Sequence, residues 1–225
     1  MQLTDYLLKE SEKIWKEYYK HPFVQGIEKG TLKKEKFRHY IIQDYLYLEE
    51  YIKVFALGVG KSKSKITNNI FINYLNAINR GELEIHRTYM NKLQITKKDF
   101  ASPRELDNLS YTSYMLRIAY EEDELSILVA ILACALSYEK IGKNILKNNP
   151  SILQHSTFCE WVEGYSSDEY SQNNKELIGI INKLAENSSK EKKDHLKEIF
   201  INCSKYELYF WNFSWNYQEK ENKIF

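Results

Sequence analysis

The stretch Leu125-Ser-Ile-Leu-Val-Ala-Ile-Leu-Ala-Cys134-Ala-Leu-Ser-Tyr138-Glu-Lys-Ile-Gly142-Lys143 decides how the rest of this chain is read. From Leu125 to Leu136 every position except Ser126 is apolar, so a helix built here is apolar all round and belongs inside a core. Cys134 sits in its middle, with Tyr138 one turn later on the same face. Taken alone, a Cys on such a helix is a small buried hydrophobe. Polar partners supplied by other helices would change that reading. The helix is expected to cover Leu125–Lys147 and to end before Pro150.

The remainder of the chain suits a helical setting. Its 225 residues are enough for one sizeable core, and only 8 Gly and 3 Pro interrupt it. Eighteen Tyr is a high count; tyrosines line cavities that are apolar at one end and polar at the other, and they also fill helix–helix contacts. A net charge of +1 with both signs interspersed gives no broad phosphate-binding surface, so nucleic acid is not an expected partner. Three Cys (Cys134, Cys159, Cys203) without a CxxC pair argue against a disulfide framework or structural zinc, and for a reducing compartment. The N-terminal residues carry acids early and lack a signal-like apolar block, and the apolar run at Leu125–Leu136 spans only 12 residues. A cytoplasmic, membrane-free protein is expected.

In order, helical spacing covers Leu3–Lys20 and stops at His21-Pro22. Phe23–Gly30 reads as a short connection. Thr31 is expected to cap a long helix to about Gly60, in which Asp44, Tyr47 and Tyr51 share one face. A third helix is expected from about Asn68 to Leu93, with Leu83 among its candidate core residues. Another is expected to start at Ser102-Pro-Arg-Glu105, with Ser as N-cap, and to end near Tyr120. After the central helix, Thr157-Phe-Cys-Glu160 opens a short helix, Ser167 caps a further one to about Asn187, and Lys190–Glu219 forms the last. No segment sustains strand alternation. The reading is all-α: one domain, residues 1–225, of about seven or eight helices.

Di-iron bundles need Glu-x-x-His pairs, whereas Glu and His here fall four apart, at Glu35/His39, Glu82/His86 and Glu191/His195. Glu82/His86 reads as a structural hydrogen-bonded pair. His21 is a formal axial ligand for haem, but the proline after it favours a capping or turn role. No His is nominated beside Cys134, so an acid partner is sought among carboxylates. Asp44 lies on the tyrosine-bearing face of an apolar helix. Glu207, in Lys-Tyr-Glu-Leu-Tyr-Phe-Trp211, shares a face with Cys203 and Trp211. A carboxyl group among aromatics has its pKa raised by desolvation and can donate a proton near neutral pH. For both acids, a partly exposed position on an amphipathic helix is the competing reading.

These residues also carry a resemblance. His21-Pro-Phe-Val-Gln-Gly-Ile-x-x-Gly30-Thr-Leu, Gln43-Asp-Tyr-Leu-Tyr-Leu48, Tyr111-Thr-Ser-Tyr-Met115, Cys134-x-x-x-Tyr138-Glu-x-Ile-Gly142, Trp161-x-x-x-Tyr165-Ser-Ser and Tyr206-Glu207-x-x-Phe210-Trp211 resemble, in order, the TenA/thiaminase II family. The resemblance implies a haem-oxygenase-like helical bundle without haem, usually a homotetramer, needing no metal or organic cofactor. It implies hydrolysis of 4-amino-5-aminomethyl-2-methylpyrimidine to the hydroxymethyl pyrimidine and ammonia in thiamine salvage, in many members with cleavage of thiamine itself. It further implies Cys134 as nucleophile, Glu207 in proton transfer, Asp44 holding the ring's amino group and nitrogen, and Tyr47, Tyr111, Tyr138 and Tyr165 as pocket residues. One departure stands out: Ala135-Leu136-Ser137 occupies a place where family members commonly carry a bulky aromatic. A non-catalytic ligand-binding or regulatory protein on the same fold is the rival reading.

Overall fold

The structure is a computed structural model that describes the backbone of residues 1–78 and 83–218 and the side chains of residues 1–78 and 88–218. The described residues form ten α-helices and no strand: α1 Leu3–Lys20, α2 Pro22–Glu28, α3 Lys34–Lys61, α4 Lys65–Ala77, α5 Leu83–Lys92, α6 Leu106–Glu121, α7 Glu124–Asn148, α8 Cys159–Ser166, α9 Asp168–Leu184 and α10 Lys190–Asn216. The all-α expectation holds, with more helices than the seven or eight expected.

The central stretch becomes α7, whose start is fixed by Asp123: its carboxylate accepts from Ser126 N at 3.0 Å. The helix packs against α10, α8, α9, α6, α3, α2 and α1. By length and composition α7 could cross a membrane, but 94% of its most apolar window is buried inside the protein. Surrounding helices therefore take the place that lipid would have.

The extra helices and shifted boundaries have local causes. Phe23–Gly30 is not a connection: His21 Nδ1 accepts from Phe23 N at 3.2 Å and Pro22 starts α2, the capping role expected of that His. Gly30, at φ +68°, then turns the chain. The N–H groups of Thr31 and Leu32 both donate to Gly26 O, so Thr31 closes α2 and does not cap α3. Ser64 accepts from Thr67 N at 3.1 Å, which starts α4 at Lys65 and not Asn68. The expected helix to Leu93 is two helices, α4 and α5; the Glu82/His86 pair and the Leu83 side chain lie outside the described residues.

Ser102 does not cap α6. Gln43 Oε1 accepts from Glu105 N at 3.0 Å and Gln43 Nε2 donates to Pro103 O at 3.2 Å, and this contact with α3 holds 103–105 out of the helix. The expected Thr157 cap is likewise displaced, because His155 Nδ1 accepts from Thr157 N at 3.1 Å and α8 begins at Cys159. Ser167 does cap α9, accepting from Tyr170 N at 3.2 Å, although α9 ends at Leu184. The last helix reaches Asn216; Glu219 lies outside the described residues.

The core includes Leu7, Trp15, Phe37, Tyr40, Ile41, Phe55, Phe71, Leu196 and Phe200, all buried. The α3–α4 contact is close enough to need a glycine. A Cβ on Gly58 would lie 2.4 Å from Cε1 of the buried Phe71 ring, whereas one on Gly60 would meet nothing within 4 Å. Gly58→Ala is therefore expected to destabilise the protein by about 1–3 kcal/mol through overpacking. Gly60→Ala is expected to be neutral or to stabilise by up to about 1 kcal/mol. Urea denaturation of both variants checks the pair, and equal effects would contradict the packing described.

Candidate active site

Between Glu124 and Glu139 every residue of α7 is buried except Cys134. This partial exposure singles Cys134 out from its apolar neighbours. Cys203, by contrast, is fully buried on α10, and burial pushes its thiol well above the ordinary range. Cys159 donates to Glu160 Oε2 at 3.0 Å near the surface. None of the three is in a disulfide.

Glu207 of α10 faces Cys134. Its side chain is 2% exposed, Tyr111 of α6 donates to its Oε1 at 2.8 Å, and the Cys134 thiol is a second hydrogen-bond donor to it. Loss of hydration pushes the Glu207 carboxyl up to about 7, aided by the charge of Asp44 and opposed by the two hydrogen bonds. The competing expectation of a partly exposed Glu207 does not hold. Asp44 of α3 is also buried, at 5% exposure, and its charge acts on Tyr40, Tyr138 and Glu207.

The tyrosines line the same region. Tyr47 lies 5.3 Å from Tyr111 and 5.9 Å from Phe210 between ring centroids, and its hydroxyl donates to Met115 Sδ at 3.5 Å. Tyr138 lies 4.7 Å from Tyr165 and 5.3 Å from Trp211. Burial raises the phenols of Tyr47, Tyr111 and Tyr138 well above their ordinary range, so they remain protonated donors. Thus all seven expected residues converge where α3, α6, α7, α8 and α10 meet.

Sequence reading missed the side chains that hold this arrangement. Asn108 Nδ2 donates to Gln43 O at 2.8 Å and to Gln43 Oε1 at 3.0 Å, locking α6 to α3 one residue from Asp44 and one turn before Tyr111. Trp161 Nε1 donates to Tyr40 Oη at 3.1 Å. Tyr40 was legible only as core, although it precedes Asp44 by one turn; Asn108 gave no signal at all. All three residues of the departure at Ala135–Ser137 are buried; Ser137 Oγ donates to Cys134 O at 3.0 Å, and Asn174 Nδ2 donates to Ala135 O at 3.1 Å.

Of the spaced Glu/His pairs, the two whose side chains are described, Glu35/His39 and Glu191/His195, do not form. His39 Nε2 comes within 3.2 Å of Glu105 Oε1 without the alignment of a hydrogen bond, and His195 lies 2.8 Å from Glu122. Among the described residues no three His, Cys, Asp or Glu side chains are grouped to hold a metal ion.

A buried acid–thiol pair walled by tyrosines, in a bundle of helices around one apolar helix, defines a small-molecule site. The chain belongs to the TENA/THI-4/PQQC family, whose model matches residues 8–217. It is 43% identical over 96% of its length to an aminopyrimidine aminohydrolase of Helicobacter pylori, 99% of which is covered. It is 36% identical to an aminopyrimidine aminohydrolase of Halalkalibacterium halodurans, with 96% of each chain covered. Among solved structures, a TenA homologue from P. horikoshii OT3 superposes with a TM-score of 0.85 at 32% identity, over 96% of this chain and 99% of that one.

Glu207 also sets a pH dependence of stability. The core favours the neutral acid, so its stabilisation is present in full below about 4.5 and is lost as pH rises through about 7. Glu207→Gln stays neutral throughout. Its stability relative to wild type is expected to rise by about 3 kcal/mol across that range. Urea melts at several pH values check this, and a pH-independent difference would contradict it.

Proposed function

We propose that this chain is an aminopyrimidine aminohydrolase. It converts 4-amino-5-aminomethyl-2-methylpyrimidine and water to the hydroxymethyl pyrimidine and ammonia, with thiamine as a second substrate cleaved at the same bond position. The observation that carries this reading is the hydrogen bond between the Cys134 thiol and the buried Glu207 carboxyl, beside Asp44. A pure binder has no use for a thiol–acid pair, which weighs against the rival reading.

Cys134 is the nucleophile and Glu207 moves the proton. Glu207 takes the thiol proton as sulfur bonds to a ring carbon, and addition raises the electron density that expels the side group. The exocyclic C–N bond then breaks and Glu207 gives that proton to the departing amine. Water adds to the exocyclic methylene, giving a proton back to Glu207. The C–S bond breaks and the proton returns to sulfur. Asp44 accepts from the ring's amino group, and Tyr47, Tyr111, Tyr138 and Tyr165 provide walls and hydrogen bonds.

The working form carries one proton on the Cys134–Glu207 pair. Turnover of the aminomethyl pyrimidine, followed by mass spectrometry, is therefore expected to fall as pH drops below about 7, where Glu207 takes up its own proton. Cys134→Ser and Glu207→Gln are each expected to lose at least about 100-fold in kcat. Undiminished turnover in Cys134→Ser would overturn the nucleophile assignment. No turnover of either compound by wild type would favour the binder.

The continuous core from Leu3 to Trp211 supports reading residues 1–225 as one domain, and its three thiols suit the reducing cytoplasm. We read the protein as a homotetramer. Leu106 and Leu109 of α6 are 81% and 46% exposed, and Tyr209 of the adjacent α10 is 44% exposed, leaving apolar surface for another copy to cover. Light scattering is expected to give four times the chain mass and a smaller assembly for Leu106→Glu/Leu109→Glu; a wild-type monomer would contradict this.

A further inference from the structure

The hydrogen bonds behind the pocket run in one direction only. An indole N–H donates and cannot accept. Trp161 Nε1 donates to Tyr40 Oη at 3.1 Å, so Tyr40 accepts there and must place its own proton elsewhere. Tyr40 Oη donates to Tyr138 Oη at 3.3 Å. Tyr40 is fully buried and packed against Phe23, Phe37, Phe210 and Trp211, so its hydroxyl has no water to turn to. Trp161 is held in turn, since its backbone N–H donates to Tyr89 Oη at 3.1 Å. The chain ends at Tyr138, which accepts from Tyr40 and keeps a proton to give. Tyr138 shares a face of α7 with Cys134, and the Asp44 charge acts on it.

We infer that Trp161 and Tyr40 are positioning residues that hold the Tyr138 hydroxyl as a donor toward the pocket, so that the site selects a pyrimidine whose ring nitrogen there bears a lone pair over one bearing a proton. This rests on the aminopyrimidine reading above. In a 4-aminopyrimidine both ring nitrogens carry lone pairs. In the 4-oxo analogue the ring nitrogen next to the carbonyl carbon is protonated while the other keeps its lone pair, so a Tyr138 donor held against the nitrogen beside C4, next to the amino group that Asp44 accepts from, meets another donor. A buried mismatch of that kind discriminates by roughly 10- to 100-fold. Free to rotate, a tyrosine hydroxyl would accept from either ring and discriminate little.

The test is to measure Kd for 4-amino-5-hydroxymethyl-2-methylpyrimidine and for its 4-oxo counterpart, with kcat and KM for the aminomethyl substrate, on wild type, Tyr40→Phe, Trp161→Phe, Tyr138→Phe and Tyr40→Phe/Tyr138→Phe. Asp44 also favours the amino compound, so the change in the Kd ratio between proteins is the readout. Tyr40→Phe and Trp161→Phe are each expected to lower the 4-oxo/4-amino ratio roughly 10-fold, mainly by tightening the 4-oxo ligand. The double variant is expected to match Tyr138→Phe. A merely structural role would weaken both ligands together, and an unchanged ratio in folded, active variants overturns the inference while leaving the aminohydrolase reading intact. Failure of wild type to bind or turn over any of these pyrimidines overturns that reading and the inference with it. If Tyr40→Phe does not fold, Trp161→Phe, which leaves no donor unpaired at that contact, decides the matter.

Discussion

A carboxyl group buried among helices is the constraint on which the rest of this structure depends. Glu207 sits at 2% exposure with hydrogen bonds from one phenol and one thiol, and no cation is among the groups that set its acidity. An ionised carboxylate in such a place is costly, so the group hovers near neutrality in its proton affinity. That is a poor arrangement for stability and a good one for passing a proton back and forth. The fold must make up the difference elsewhere, and α7 is where it does so. A helix buried from Glu124 to Glu139 except at one cysteine contributes a large apolar area and places its one partly exposed residue beside the acid.

The supporting contacts explain why the acid, the thiol and the second carboxylate meet without belonging to neighbouring stretches of sequence. Gln43 binds Asn108 and the backbone around Pro103 and Glu105, so α3 and α6 are fixed to each other beside Asp44 and Tyr111. Trp15 of α1 donates to Ser204 Oγ at 3.0 Å and Tyr18 donates to Ser204 O at 2.6 Å, which fixes the turn of α10 just before Glu207. Each clamp is a polar side chain satisfied within the core, where a lost partner would leave an unpaired group. Precision at the site thus depends on α1, α3 and α6, which contribute no reacting atom.

How much of this was legible in the sequence follows from the kind of signal each feature leaves. Period and composition are local, so the all-apolar α7, the buried face of α3 and the cap at Ser167 could be read directly. Boundaries set by tertiary contacts could not. Ser102-Pro-Arg-Glu105 has every local mark of a helix start, yet Gln43 on another helix takes the backbone groups that helix would use. Thr157 loses its capping role to a local competitor, the His155 ring two residues before it. At the site, Asp44 and Glu207 stand out as acids on aromatic-bearing helix faces, while Cys134 reads as one more apolar residue on composition and gains a role only through the motif it shares with Tyr138. Tyr40 and Asn108 carry polar functions that appear only when helices distant in sequence are brought together.

The most direct test of the central pairing is the alkylation rate of Cys134 by iodoacetamide from about pH 5 to pH 9, followed by peptide mass spectrometry in wild type and Glu207→Gln. If the thiol gives its proton to the buried carboxylate, the wild-type rate rises through about 7 as Glu207 ionises, and the substitution removes that inflection, leaving a slower thiol of ordinary pH dependence. The same pH profile in both proteins would contradict a proton shared between Cys134 and Glu207.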